Sequence, residues 1–294
     1  METLYLVDAS MYVFRAWHSM PDEFHDVDGH PVNAVHGFAR FLLELIERQM
    51  PQHIALAFDE SLESSFRNQL YPAYKANREP APTALKRQFT LCQAFTAALG
   101  LDVLCDSAYE ADDLIGTLLV RQRAVGFRGV IVSADKDLSQ LLRLGDEQWD
   151  YARQQRWNAD GVKARYGVHA HQIADYLGLT GDAIDNIPGV PGIGAKTAAA
   201  LLEHFEALDS LLLRLAEVPY LRLRGAAAHA ARLSQHREQA LLSRTLATIA
   251  LDAPLPPAIS DSRRGRGDRA AMEILIERLR FGPLTRRRVL AQLG

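Results

Sequence analysis

Nine acidic residues of this chain stand where oxygen chemistry could use them: Asp8, Asp59, Glu110, Asp112, Asp113, Asp135, Asp137, Asp182 and Asp185. Asp8 closes the apolar run Leu4 to Val7, and Asp59 follows Ile54 to Phe58. Glu110, Asp112 and Asp113 open a helical pattern after Asp102 to Leu104. Asp135 and Asp137 come just after Val130 to Ser133, and Asp182 and Asp185 begin a later, helical half. On an extended segment Asp135 and Asp137 point to one side, and on a helix Glu110 and Asp113 share a face. Hard carboxylate oxygens in such numbers suit Mg²⁺ or Mn²⁺. Any single Asp after a strand is more often a turn residue or a helix N-cap than a ligand, and Asp112 and Asp113 are also accounted for by the positive end of a helix. The set is harder to explain that way, because like charges gathered at the same end of successive strands repel unless a cation joins them.

Two further segments have the composition of nucleic-acid contacts. Phe66, Arg67, Tyr71, Tyr74, Lys75, Arg78, Lys86 and Arg87 interleave cations with aromatics, a mix that grips phosphates and stacks on bases. A solvated amphipathic helix would account for the charges as well. The second segment, from Gly189 through Gly192, Gly194 and Lys196 to Thr197, is not a Walker-type phosphate loop, because Ala195 separates the last glycine from the lysine. A glycine hairpin entering a helix can still present backbone N–H groups to a phosphate, with Lys196 assisting. The alternative is a tight helix-to-helix turn with no ligand.

The elements that must position these residues are legible in the apolar pattern. Leu4 to Val7, Ile54 to Phe58 and Gly129 to Val132 read as buried strands, with helical patterns at Val35 to Gln49, Thr83 to Leu99 and Asp112 to Arg123 between them. The economical fold is α/β: a mostly parallel central sheet with crossover helices, whose ligands bind at the carboxyl ends of the strands. After about residue 160 the strand signals fade into Ala/Leu-rich helices broken by Pro188, Pro191, Gly192 and Gly194. The expected division is therefore 1–160 and 161–294.

A length of 294 residues with 48% apolar content is that of an ordinary globular chain. With no basic leader, no long apolar run and only Cys92 and Cys105 as cysteines, a cytoplasmic protein is expected. The formal net charge of −3 argues against a polyanionic partner only until its distribution is considered. Setting the nine acids aside leaves 27 against 33 Lys and Arg, so the remaining surface is basic.

Five ordered motifs carry a resemblance. Leu-Val-Asp8-Ala-Ser, Tyr71-Pro-Ala-Tyr74-Lys75-Ala-Asn-Arg78, Tyr109-Glu110-Ala-Asp112-Asp113, Ser133-Ala-Asp135-Lys-Asp137 and Gly181-Asp182-Ala-Ile-Asp185-Asn-Ile-Pro-Gly resemble signatures of the 5′→3′ exonuclease and flap endonuclease family. Within it, the likeness is to the N-terminal nuclease domain of bacterial DNA polymerase I, here expected as a stand-alone nuclease. Leu242 to Ile249 and Leu279 to Leu284 are similar to that domain's closing segments.

The resemblance implies a metal-lined site at the sheet edge, a helical arch at about 71–91, and a helix-turn-helix hairpin at about 189–202 that grips duplex DNA, with K⁺ often bound. It implies two Mg²⁺ ions, replaceable by Mn²⁺: Asp8, Asp59, Glu110 and Asp112 around one, Asp113, Asp135, Asp137 and Asp185 around the other, and Asp182 acting through water. Lys75 and Arg78 would be catalytic. Arg67, Tyr74, Lys75, Arg78, Gly192, Gly194, Lys196 and Thr197 would contact DNA bearing a 5′ end or 5′ flap. A monomer is expected. Ala9 stands where the family usually has Gly, and Glu79 where it has Pro, which leaves only the local shape of the arch open. The rival readings are a catalytically silent DNA-junction binder and a ribonuclease on a related scaffold; the full acid set weighs against the first, and the glycine hairpin against the second.

Overall fold

The computed structural model describes residues 2–60, 65–257, 259 and 261–293. The chain opens with β1 (Glu2–Asp8), α1 (Ala9–Ser19), α2 (Asn33–Gln49) and β2 (His53–Ala57). There follow α3 (Phe66–Leu70), α4 (Thr83–Ala98), β3 (Asp102–Leu104), α5 (Ala111–Arg123) and β4 (Phe127–Val132). After a short 3₁₀ turn at Asp137–Leu141 come the strands β5 (Glu147–Asp150) and β6 (Gln155–Asn158). The rest of the described chain is helical: α6 (Ala159–Tyr166), α7 (Ile173–Thr180), α8 (Ala195–Phe205), α9 (Leu208–Leu213), α10 (Ala226–Gln235), α11 (Arg237–Ala247), α12 (Arg269–Arg278) and α13 (Pro283–Ala291). No helix among the described residues is long and apolar enough to cross a membrane.

Two compact units result, and they interleave along the chain. One holds residues 1–63, 80–133 and 250–294, the other 64–79 and 134–249. This differs from a single cut at 160/161, because residues 64–79 and 134–160 fall in the second unit and the last 45 residues in the one that contains the first strand.

In the first unit β1 pairs in parallel with β2 on one side and β4 on the other, and β3 extends the sheet beyond β2. Every residue of β2 is buried, as are Leu4, Leu6 and Val7 of β1. Continuous apolar strands of this kind form a parallel sheet covered on both faces. The register sets Asp8 beside Ala57 and Val7 beside Val132, so the ends of β1, β2 and β4 lie level.

Helix α2 buries Val35, Phe38, Ala39, Leu42, Leu43 and Ile46 at helical spacing. Its own N-cap, Val32, supplies no side-chain acceptor. The buried Gln88 of α4 does so instead: its Oε1 accepts from Ala34 N (2.7 Å) and Val35 N (3.2 Å), while its amide donates to Asn33. One glutamine thus satisfies two orphan donors across the interface.

Nearby, the fully buried Asp26 accepts hydrogen bonds from the backbone N–H groups of Asp28 and His30 and from Arg87. Burial works to raise its pKa, but Arg87 and the two N–H groups outweigh it and hold the carboxyl at about 2. A depressed carboxylate pKa contributes stability above the unfolded value of about 4, lost as pH falls through the folded value. Urea midpoints measured from pH 5 to 2 will therefore fall less steeply for Asp26→Asn than for the parent. Identical slopes would show that this pair contributes nothing.

The second unit contains the antiparallel hairpin β5–β6 and the helical half. Its polar core chain runs from Trp157 Nε1 to Ser139 Oγ (3.1 Å) and from Ser139 Oγ to Gln148 Oε1 (2.6 Å). These buried bonds anchor the turn that carries Asp135 and Asp137 to the hairpin.

Candidate active site

Each unit carries its own group of the predicted acids. In the first, the chain passes from β1 directly into α1 with Asp8 as N-cap, its Oδ1 accepting from Met11 N at 3.1 Å. Its other oxygen accepts from Ser133 Oγ (2.9 Å), which follows β4. Asp59, beyond β2, accepts from Ala111 N at 2.9 Å and so meets the start of α5. Glu110 is the N-cap residue of α5, and Asp112 and Asp113 lie in its first turn. The sheet therefore brings Asp8, Asp59 and the start of α5 together at the carboxyl ends of its strands, as its topology requires.

Asp113 departs from the expected ligand role. It is wholly buried, and its two oxygens accept from Glu110 N (3.1 Å) and Ala250 N (2.8 Å). The helix start and a distant backbone segment are stapled by this carboxylate.

In the second unit Asp135, Asp137, Asp182 and Asp185 stand with three cations. The expected extended geometry of Asp135 and Asp137 is not found: Asp137 N donates to Asp135 Oδ1 (3.0 Å), turning the chain into the 3₁₀ segment. Aspartate competes for its own backbone two residues on, and here that wins. Burial, followed by the charge of Asp135, pushes the Asp137 carboxyl well above the ordinary range. Asp135 is raised too, by dehydration first. Asp137 Oδ1 is buried without a hydrogen-bond donor among the described residues, with Lys136 Nζ 4.0 Å away.

The loop Asp182–Ile187 is closed on itself by a backbone bridge and by Asp182 Oδ1, which accepts from Ile184 N at 2.7 Å. Burial works to raise Asp182, but its ion pair with Lys136 prevails and lowers it. The segment 73–78 docks on this loop. Lys75 N donates to the Asp185 carbonyl (2.9 Å), Asn186 to the Ala73 carbonyl (2.6 Å) and Asn77 to the Ala183 carbonyl (2.8 Å). Asp185 is flanked by Lys75 Nζ at 3.7 Å and paired with Arg78. Lys75 holds a left-handed backbone (φ 55°), a strained conformation that the surrounding bonds enforce.

Two predicted DNA contacts are corrected. Arg67 is 3% exposed and donates to the carbonyls of Leu246 (2.8 Å) and Thr248 (2.9 Å), so it closes the end of α11. Tyr74 is likewise 3% exposed, and its hydroxyl donates to Asp185 (3.3 Å). Composition alone gave no signal of this, since a buried arginine capping carbonyls reads like a solvated one. Arg67→Ala will accordingly destabilise the protein by roughly 1–3 kcal/mol, leaving the carbonyl of the buried Leu246 without its donor, with the salt dependence of DNA binding unchanged. A lower salt slope at full stability would reverse that assignment.

The stretch expected as an arch, 71–91, is a run of turns to residue 78 followed by α4 from Thr83, whose Leu85, Phe89, Cys92 and Phe95 are buried. The stretch expected as a glycine hairpin, 189–202, is a turn to Gly194 followed by the first turns of α8. Gly181 and Gly189 both have positive φ (70° and 60°), and a Cβ on Gly189 would lie 2.2 Å from Gly181 N, so only glycine permits this close approach. Gly192 and Gly194 are exposed, Gly194 is the N-cap residue of α8, and Lys196 and Thr197 occupy its first turn with Lys196 exposed. The N–H groups there face no capping side chain.

Residues 3–167 match the family described as 5′-3′ exonuclease, N-terminal resolvase-like domain, and residues 168–270 match 5′-3′ exonuclease, C-terminal SAM fold. The chain belongs to the 5′-3′ exonuclease family. DNA polymerase I of Pseudomonas aeruginosa is 41% identical over 95% of this chain, and that of Bacillus caldotenax 35% over 95%. The chain spans 30–31% of the length of these two relatives. The fold is that of a zinc-bound T5 5′-exonuclease (TM-score 0.68, 17% identity, 99% of this chain and 98% of that one). It is also that of the Rad2 catalytic core solved with a DNA substrate (TM-score 0.64, 12% identity, 100% and 92%).

Among the described residues no three His, Cys, Asp or Glu side chains are grouped closely enough to hold a metal ion. The acids are instead turned toward backbone N–H groups and toward Lys75, Arg78 and Lys136. The buried, donorless oxygen of Asp137 beside Asp135 nevertheless fits a cation, and the donor set is all oxygen, as a hard divalent ion requires.

Proposed function

We propose that the chain is a metal-dependent 5′ nuclease that hydrolyses DNA phosphodiesters at 5′ ends and 5′ flap junctions. The observation that carries this reading is the pair Asp135 and Asp137, two crowded carboxylates with raised pKa and one oxygen lacking a donor. Such a pair is costly to keep without a cation. Asp8, Asp59, Glu110 and Asp112 would hold one divalent ion, and Asp135, Asp137 and Asp185 a second, with Asp182 acting through water. Mg²⁺ is the natural occupant and Mn²⁺ a substitute; bound there, the ions supply a hydroxide nucleophile at neutral pH and stabilise the departing 3′ oxygen.

The chain's own residues bind and orient. Lys75 and Arg78 neutralise Asp185; were Asp185 to hold a divalent ion, both would be available to balance charge on the phosphoryl oxygens. The zinc in the T5 structure and the DNA in the Rad2 structure support a metal and DNA as ligands. The hairpin N–H groups and Lys196 would hold the duplex backbone without regard to sequence, and K⁺ is a further candidate ligand there.

Incubation with labelled flap DNA, plain duplex and single-stranded RNA plus Mg²⁺ tests the reading. Flap cleavage with released 5′ products is expected. Binding without cleavage would leave a junction binder, and cutting of RNA alone a ribonuclease. In the same assay Lys75→Ala will slow single-turnover cleavage about 10²-fold or more while weakening binding only about threefold. Equal losses in both would reduce Lys75 to a phosphate anchor.

A further inference from the structure

At the amino end of β2, opposite the acids, the first unit has a groove of about 520 Å³ lined by Met50, Gln52, Arg263, Arg264, Arg266 and Gln292, among others. Arg263 pairs with His53, the first residue of β2, whereas Asp59 lies beyond its last. At about 3.3 Å per residue the groove is roughly 20 Å from Asp59, and so is not part of the site described above.

Its arginines are set out for an anion. Among the described residues, none of Arg263, Arg264 and Arg266 is paired with a carboxylate. Among the described residues the Arg264 guanidinium donates to the carbonyl and side-chain oxygens of Gln292, both at 2.9 Å, and burial works against its charge. The neighbouring acids are engaged elsewhere: Asp261 lies against His53 and accepts from Arg263 N, and Asp268 caps α12. Arg287, exposed and likewise without a carboxylate partner, is one helical turn from Ala291 of the groove wall, which puts it on the same side of α13.

The presenting loop is held rigidly. Ile54 N donates to the Ser262 carbonyl, Arg264 N to Gln52, Gly265 N to Gly100 and Asp268 N to Ala98, all at 2.8–2.9 Å. A Cβ on Gly100 would meet the loop backbone at 2.8 Å, so the fit is backbone against backbone. Arginines on a pre-organised backbone lose little entropy on binding. A row of guanidinium groups with no carboxylate partner among the described residues, around an open groove, matches the repeat of charges along a phosphodiester strand, and the fork of each suits phosphate oxygens.

We propose that the Arg263–Arg266 groove, with Arg287 at its rim, is a second, non-catalytic binding site for the phosphodiester backbone of single-stranded DNA. The site does not depend on the nuclease reading, and its test uses neither metal nor cleavage. Fluorescence anisotropy with a labelled oligonucleotide of about 20 nucleotides, longer than the ~4–16 that a binding groove spans, is read without divalent ions over a KCl series. R263E/R266E will weaken binding on the order of tenfold at about 50 mM KCl and lower the log–log salt slope by about 1.4, since each single-strand contact contributes ~0.7. A glutamate homopolymer of matched charge will bind the parent far more weakly than the DNA.

Unchanged DNA affinity and slope in R263E/R266E would overturn the proposal. So would a glutamate polymer that binds as well as DNA and is lost in the variant, which would mark the groove as a surface for acidic protein. Melting curves check the fold, and if the double variant is unfolded, R287E, on the exposed side of α13, carries the same readout with a slope loss of about 0.7.

Discussion

Asp137→Ala will lower single-turnover cleavage of a 5′-flap DNA by about 10³-fold or more, about 4 kcal/mol of transition-state stabilisation, while DNA affinity changes less than about threefold. The carboxylate is buried beside Asp135 and has an oxygen that no hydrogen-bond donor satisfies, so its placement is costly unless a cation uses it. Removing it would delete a proposed metal ligand without touching the exposed segment that would carry the duplex. Lys196→Ala should show the reverse: a duplex salt slope lower by up to about 0.9, with saturating turnover within about threefold. Single-turnover rates at saturating DNA, with Kd measured in Ca²⁺ or without metal, separate the two effects. Cleavage by Asp137→Ala within tenfold of the parent would remove this residue from the reaction.

The second large effect is on stability. Mg²⁺ at about 100 times its Kd will raise the unfolding free energy by about 2.7 kcal/mol, provided that it binds only the native state. The cause is the same crowding: dehydration raises both carboxyls, the charge of Asp185 adds to it at Asp135 and that of Asp135 at Asp137, and a cation would relieve both effects. Asp137→Asn removes one of the repelling charges and keeps the shape. Its metal-free melting temperature should match or exceed that of the parent, and its increment on adding Mg²⁺ should shrink. A parent melting temperature indifferent to Mg²⁺, in a protein shown to cleave, would mean that the acids do not share an ion in the free enzyme.

The binding groove at Arg263 and the acids at the other end of β2 rest on one strand, which has a consequence for engineering. Substitutions that alter the β2 register, such as insertions between Pro51 and His53, would disturb both ends, because Arg264 N is bonded to Gln52 and Asp59 to Ser10 and Ala111.

The sequence by itself determined the parallel sheet and the position of its acids. Uninterrupted apolar runs such as Ile54 to Phe58 can be satisfied only by burial on both faces, and an acid placed at the end of each run is then delivered to the carboxyl edge wherever the helices go. The close approach of Gly181 and Gly189 explains two glycines of the last motif: positive φ and backbone contact there leave no other residue type possible. The five ordered motifs were legible as a family signature, and the family matches agree with them.

Other features depend on contacts between residues far apart in the chain, and these only the tertiary structure decided. Arg67 reads as a surface cation until Leu246 and Thr248, about 180 residues away, offer it carbonyls. Asp113 reads as one more ligand until Ala250 takes one of its oxygens. The strands β5 and β6 are rich in polar residues and carry no alternation, so they emerge only because Trp157 and Gln148 meet Ser139 in the interior. The interleaving of the two units has the same origin: hydrophobic burial is indifferent to sequence distance, and the closing 45 residues belong to the opening strand's unit although the helices of the other unit precede them in the chain.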